Sequence, residues 1–276
     1  QSGTRMILSN NHVMANRNEA QLGDPILQPG VADGGTQEKD VIALLERFET
    51  IHYNEEPAAC SFANAYTRIG NALARTIGSL HRVKAYQFNP LAINSIDAAL
   101  ARPILDSDLL DEILEIGEVS GLQEADLGMS VIKSGRTTGL PSGPITIMDA
   151  TVPVNYGGDR SATFDHQIVS SPMSQGGDSG SLLVSSETKN AVGLLFAGSN
   201  QATLFNPIKM VLNIMDVSLV SVAEAKALPN RRTMFEQAQA VKSKYQQMLM
   251  ALPNVVGVGV GPLWQDGKRT DQIGIV

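Results

Sequence analysis

Cysteine is almost absent from these 276 residues: Cys60 stands alone, so no intramolecular disulfide forms and the fold must rest on its core. That excludes the small scaffolds stapled by bridges and suits a cytoplasmic setting or a bacterial one, secreted or not. Aromatic residues make up only 5% of the chain, with one tryptophan. No apolar run approaches the ~20 residues that span a bilayer, so no membrane segment is expected. A basic cluster is missing too. With 21 Lys and Arg against 28 Asp and Glu the net charge is −7, and without a basic field a nucleic-acid backbone has nothing to bind. The four histidines and the single cysteine have no zinc spacing, so no metal is expected. Nucleotide motifs are incomplete. Val255-Val-Gly-Val-Gly-Val-Gly261 holds no full G-x-G-x-x-G opening a helix, and Gly267-Lys268 precedes Arg269 where a phosphate-binding loop needs Ser or Thr. No cofactor is called for.

What is present is globular: 43% hydrophobic residues, 25 Gly and 13 Pro. From Met6 to about Val41, short apolar runs alternate with the turn signals Asp24-Pro25, Gln28-Pro-Gly30 and Asp33-Gly-Gly35, the punctuation of closely spaced strands. Between Cys60 and Leu80 the period changes. Phe62, Ala65, Tyr66, Ile69, Leu73 and Ile77 recur every three or four residues, which predicts a helical insertion in a β domain. Strand character returns at Val83 to Phe88 and Ile96 to Leu100, and the acidic stretch Asp106 to Glu124 reads as a connection between two halves. Ser130 to Ala197 holds roughly six strand-like segments, enough for a barrel. A short helix is expected around Val211 to Met215 and a longer one over Arg231 to Leu252, ended by Pro253-Asn254. Its stripe of Met234, Ala238, Val241, Tyr245 and Met248 is expected to pack on the body.

The sharpest string is Gly176-Gly-Asp-Ser179-Gly-Ser181, in a turn between two strand-like segments. A serine hydroxyl is a poor nucleophile unless a base lies within hydrogen-bond reach and the developing oxyanion has donors. Glycines let the loop turn the N–H groups of Gly177 and Ser179 toward one point, an oxyanion hole. A plain hairpin loop is the alternative, since Gly, Asp and Ser all favour turns. An apolar strand, Ile7-Leu-Ser, delivers His12 at its end, a fixed position for a general base. His166, 13 residues before Ser179, competes for that role, while His52 and His81 lie in less regular text. Asp97, set among Ile96, Ala98 and Ala99, is a carboxylate in apolar surroundings and needs a partner. The N–H of His12 would serve. Asp40 has a similar context but follows His12 by only 28 residues, few for the strands a barrel places between base and orienter.

With Leu8-Ser-Asn-Asn-His12-Val, Asp97-Ala-Ala-Leu, Val131-Ile-Lys-Ser-Gly-Arg-Thr-Thr-Gly-Leu140 and Gly177-Asp-Ser-Gly-Ser-Leu in place, the chain resembles a trypsin-like (chymotrypsin-fold) serine peptidase of the bacterial and plant narrow-leaf type, over about Met6 to Val217. The resemblance implies an all-β fold of two packed six-stranded antiparallel Greek-key barrels, plus the helical insertion and the C-terminal helix. The expected division is 1–120 for a first barrel lacking its N-terminal strand, 121–228 for the second, and 229–276 for the helix and the start of a further module. It implies catalytic roles for His12, Asp97 and Ser179, an oxyanion hole from Gly177 and Ser179, and a protein or peptide substrate. It sets Phe196, Ala197 and Gly198 along the substrate and Met173 near the base of a primary pocket with no acidic residue. The segment Lys133 to Gly143 would open the second barrel without touching the chemistry. A binding module on the same scaffold, or a regulator that processes itself, is the alternative reading.

Overall fold

The structure is a computed structural model and describes residues 5–89, 91–157, 160–219, 232–253, 255–265 and 268–276. In the first half, β1 (Ile7–Ser9) runs into one helical turn, α1 (Asn11–Met14), followed by β2 (Pro25–Leu27) and β3 (Val41–Phe48). An insertion of β4 (Glu55–Pro57), α2 (Ser61–Thr76) and β5 (Tyr86–Phe88) precedes β6 (Ile93–Asn94) and β7 (Ala99–Pro103). The connection carries β8 (Glu112–Ile113), β9 (Gly117–Glu118) and β10 (Gly121–Leu122). The second half contributes β11 (Ser130–Ile132), β12 (Ser142–Asn155), β13 (Ser161–Ser170), β14 (Leu182–Ser185), β15 (Asn190–Gly198) and β16 (Thr203–Pro207). Then come α3 (Ile208–Ile214), α4 (Arg232–Met250), β17 (Val258–Gln265) and β18 (Lys268–Ile275).

The chain is mostly β with a few helices, but two clean barrels are not what forms. Among the described residues the first half makes a four-stranded antiparallel sheet in the order β1-β7-β3-β2. The strands that a six-stranded barrel would need are spent elsewhere: β4 and β5 pair only with each other, β8 and β9 make their own hairpin, and β6 joins β13 in parallel. The second half comes closer. The order β12-β11-β14-β15-β16-β13, with β12 also paired to β13, closes as a ring of six strands. The hairpin β17–β18 extends it by pairing β17 with β12, and β10 adds a short parallel pairing to β15.

Alternating apolar side chains explain the burial. Val131, Ile145, Ile168, Leu183, Val192, Leu195 and Phe205 fill the ring's interior, and Met14, Ala15, Ala43, Leu45, Ala99 and Ala101 cover the four-stranded sheet. A third cluster joins the halves: Ile96, Ala98 and Leu100 pack with Ala191, Leu194, Ile208, Val211 and Leu212. Asp97 therefore projects from a backbone gripped on both sides by core.

α4 docks differently from its expected stripe. Its buried positions are Ala238 and Lys242, while Val241, Tyr245 and Met248 are exposed; Arg231 and the side chain of Met234 lie outside the described residues. The reason is electrostatic. Lys242 Nζ lies 2.7 Å from Asp165 Oδ1 and 3.4 Å from Asp149 Oδ2, on the bulged β12–β13 pair, and Gln246 Nε2 donates to Asp165 Oδ2 at 3.2 Å. Burial alone would raise the Asp165 pKa, but hydrogen bonds from Lys242 and Thr151 hold it at about 2. His166 belongs to this cluster, its Nδ1 bonded to Asp149, which raises its pKa above the usual histidine value. It is far in role from Ser179. The ammonium already occupies the space between the two carboxylates.

Candidate active site

The strand end that carries His12 is set by side-chain amides. Asn10, fully buried ahead of α1, donates its Nδ2 to the carbonyl of Asp97 at 2.8 Å, and Asn11 Nδ2 donates to the Glu49 carbonyl at 2.6 Å. These bonds lock the turn on which the imidazole stands. His12 Nδ1 then meets Asp97 Oδ2 at 2.6 Å, and the backbone N–H of His12 donates to Asp97 Oδ1 at 3.2 Å. Both carboxylate oxygens thus point at one residue. The competing Asp40 is used locally, accepting from the backbone N–H of Thr36 at 2.8 Å.

A third donor reaches the same carboxylate. Tyr156, at the end of β12, donates its hydroxyl to Asp97 Oδ2 at 2.8 Å and sets its ring edge-to-face with the His12 imidazole, centroids 5.7 Å apart. Burial, then the adjacent Asp97 charge, pushes the Tyr156 pKa far above its ordinary value, so the hydroxyl stays a donor. From below, the backbone N–H of Asp97 donates to Asn206 Oδ1 at 3.0 Å. Sequence periodicity gave no sign of Tyr156. Its only signal was a tyrosine next to the glycine turn at Gly157.

The Ser179 loop is held through its neighbour. Asp178 is buried and pairs with the equally buried Lys133, Nζ to Oδ2 3.0 Å. It also accepts from the N–H of Thr137 at 2.8 Å, the N–H of Gln175 at 3.0 Å and the hydroxyl of Thr138 at 2.7 Å. Burial would raise its pKa, and these bonds outweigh it, so the net shift is downward. Lys133 Nζ donates in turn to Thr138 Oγ1 at 2.6 Å. Gly135 is required here: a Cβ would lie 2.5 Å from Lys133 Nζ and 2.6 Å from Asp178 Oδ1. The segment expected to open the second barrel, Lys133 to Gly143, thus also clamps the residue before Ser179. A lysine within the apolar run Val131-Ile-Lys was the available clue.

Gly177 adopts φ +100°, which a side chain would strain, and a Cβ there would meet Arg136 and Thr137. Its N–H and that of Ser179 donate to nothing among the described residues, whereas the N–H groups of Asp178 and Gly180 are bonded to Gln175 and Leu195. Two free donors on either side of Asp178 at a constrained turn suit an incoming anionic oxygen. Gly180 brings this loop against β1, since a Cβ on it would lie 2.3 Å from Ser9 Oγ, three residues before His12. Ser179 itself is half-buried and makes no hydrogen bond among the described residues. Nucleophile–base hydrogen bonds are often loose before substrate arrives.

A cleft of about 670 Å³ opens beside the imidazole, lined by His12, Arg17, Tyr156, Phe196, Ala197 and Gly198 among others. Phe196 to Gly198 bring the end of β15 to the wall of this cleft. Met173 does not line the cleft. It is buried in the ring with Val131 and Phe205, because β13 turns inward after Ser170 and fastens the backbone N–H of Met173 to Thr203 Oγ1 at 2.9 Å. Val256, just before β17, does line it, so the C-terminal segment reaches the cleft wall.

No family model matches the sequence. Over 156 residues it is 31% identical to Serine protease 1 of Rarobacter faecitabidus, a stretch that covers 53% of this chain and 27% of that protein. The chain is similar to bacterial chymotrypsin-fold serine proteases. It spans about a quarter of that relative's length. Among solved structures, the Cellulomonas bogoriensis chymotrypsin aligns with 50% of this chain and 76% of its own at 23% identity and a TM-score of 0.41. Nocardiopsis protease aligns with 79% and 86% at 18% identity and a TM-score of 0.47.

Proposed function

We propose that this protein is a serine endopeptidase in which Ser179 attacks a peptide carbonyl, His12 serves as general base and Asp97 orients the imidazole. The observation that carries the reading is the His12–Asp97 pair, closed at 2.6 Å, together with a turn that meets β1 at Ser9 and whose Gly177 and Ser179 N–H groups are unpaired among the described residues. With Nδ1–H donated to Asp97, the free lone pair of His12 sits on Nε2, the nitrogen that accepts the Ser179 proton as the C–O bond forms. The carbonyl oxygen becomes an anion and accepts from the two N–H groups, each contributing about 3 kcal/mol to the transition state. His12 returns the proton to the leaving amine, and water repeats the sequence on the acyl-enzyme. In this reading the second barrel is the closed ring, the first is reduced to the four-stranded sheet, and the cleft between them holds an extended peptide along Phe196 to Gly198. Arg17 and apolar side chains line that cleft with no carboxylate among its lining residues, which favours apolar over Lys or Arg side chains in the substrate. A peptide library cleaved only after basic residues would overturn that preference.

A fluorophosphonate probe tests the reading directly. The full chain should be labelled, and Ser179→Ala and His12→Ala should each abolish labelling while remaining folded by circular dichroism. A folded wild type that takes up no probe would favour a binding or self-processing module on this scaffold.

Tyr156 acts in this scheme as a positioning residue for Asp97. Tyr156→Phe keeps the ring against His12 but removes a hydrogen bond to a charged group, about 1.5 to 3 kcal/mol, so kcat should fall roughly ten- to a hundredfold. KM should change little. A fall confined to KM would instead make Tyr156 only a wall of the cleft.

A further inference from the structure

The apolar stripe that identifies α2 faces outward. Phe62 is 82% exposed and Ile77 81%, and Tyr66, Ile69 and Leu73 between them are exposed too; no residue of the helix is buried. The inner face is small and polar, and it is fastened to the insertion itself. Asn64 Nδ2 donates to the Ala58 carbonyl at 2.8 Å, and Asn71 exchanges two bonds of 2.8 Å with the backbone of Val83. A helix in a folded protein draws most of its stability from burying its apolar face, and this one holds that face away from its own body. Exposed apolar patches of this kind mark interaction surfaces.

Charge indicates what the surface meets. From Pro57 to Ile96 the chain holds four basic residues, Arg68, Arg75, Arg82 and Lys84, and no Asp or Glu, in a protein of net charge −7. Arg68 and Arg75 are exposed at the edge of the inner face, about 140 to 160° round the helix from the centre of the stripe, and make no ion pair or hydrogen bond among the described residues. The complementary surface lies in the same chain. From Pro103 to Ile132 there are eight Asp and Glu and no Lys or Arg, and Ile104, Leu105, Leu110 and Leu114 stand exposed among them. Arg5 occupies Asp106 and Asp111, whereas the carboxylates of Asp108, Glu112, Glu115 and Glu118 have no partner among the described residues. This hairpin, β8–β9, pairs with no other strand among the described residues.

We propose that α2 of one copy docks on the acidic segment 104–118 of a second copy of this chain, its apolar stripe against the exposed leucines, with the excess positive charge of 57–96, Arg68 and Arg75 included, drawn to the free carboxylates around them. The two patches differ, so the contact is heterologous, and repetition closes a ring or a reciprocal pair. An anionic membrane fits less well, because an acidic protein is repelled by it and the acidic patch would be left unmet. The proposal does not depend on the peptidase reading.

Sedimentation of the full chain tests it. The wild type should run heavier than the 29.4 kDa monomer at micromolar concentration. Arg68→Glu with Arg75→Glu, and separately Asp108→Lys with Glu115→Lys, should each weaken association by about tenfold or more, since like charges then face each other. Mixing the two variants should restore the heavier species, because both contacts become matched again. Leu73→Glu, at a side chain that a single copy leaves exposed, should also yield a monomer with unchanged melting. A monomeric wild type, assembly indifferent to both variants, or a mixture that stays monomeric would overturn the proposal, as would flotation with phosphatidylserine vesicles lost in the arginine variant alone.

Discussion

Asp97→Asn is expected to lower kcat/KM toward a peptide by about 10⁴-fold without unfolding the protein, because it changes which nitrogen of His12 carries the proton. In the wild type Oδ1 accepts from the backbone N–H of His12, and Oδ2 accepts from both His12 Nδ1 and the Tyr156 hydroxyl. An asparagine keeps one acceptor. With its oxygen toward the backbone N–H, its amide N–H₂ faces Nδ1 and the proton moves to Nε2. The nitrogen that should accept the Ser179 proton is then already occupied. The Tyr156 hydroxyl can reverse to accept from the new amide, so the buried site stays satisfied and the melting temperature should change by only a few degrees. The measurement is kcat/KM on the purified variant beside its thermal melt. A loss below about tenfold in a folded variant would remove Asp97 from the mechanism.

How much of this was legible in the sequence depends on whether the interaction is local. His12 at the end of an apolar strand and Asp97 within an apolar run carry their own signal, since each is a polar residue where burial demands a partner. The periodicity over 60–80 likewise specified α2, which forms over Ser61–Thr76. Periodicity shows that a stripe exists; it does not show what the stripe faces, and α2 turns its stripe to solvent. α4 makes the same point in reverse. Its apolar stripe was expected to face the body, but Lys242 takes that side because Asp149 and Asp165, distant in sequence, leave two carboxylates to be neutralised. Met173 was set at the pocket by resemblance, whereas its contacts are with ring residues before and after it in sequence. The expected first barrel failed for a related reason. The strand-like text at Val83 to Phe88 yields only β5, which pairs with β4 inside the insertion, and the short strands β8 and β9 in the stretch read as a connection pair with each other, so neither reaches the four-stranded sheet.

Lys133 gives the largest expected effect on stability. Lys133→Met keeps much of the side chain's volume but leaves Asp178 buried without its cation, and breaking one half of a buried pair costs about 3 to 5 kcal/mol. For a chain of this size that corresponds to a melting temperature roughly 10 °C lower. The double variant Lys133→Met with Asp178→Asn should recover part of the loss, because the amide is neutral and its one oxygen can still accept from the N–H groups of Thr137 and Thr138, though not also from that of Gln175. The pH dependence has a definite sign. The Asp178 pKa is lowered in the folded state, so the pair contributes stability above the ordinary carboxylate range near pH 4 and loses it as pH falls through the folded value. The lysine variant should therefore lose less stability on acidification than the wild type. Its effect on chemistry follows from position. Asp178 lies between the two residues whose N–H groups would hold the oxyanion, so releasing it frees both, and fluorophosphonate labelling of Ser179 should slow even where the variant is still folded. A Lys133→Met protein that melts and labels like the wild type would show that the hydrogen bonds from Thr137, Thr138 and Gln175 hold Asp178 by themselves.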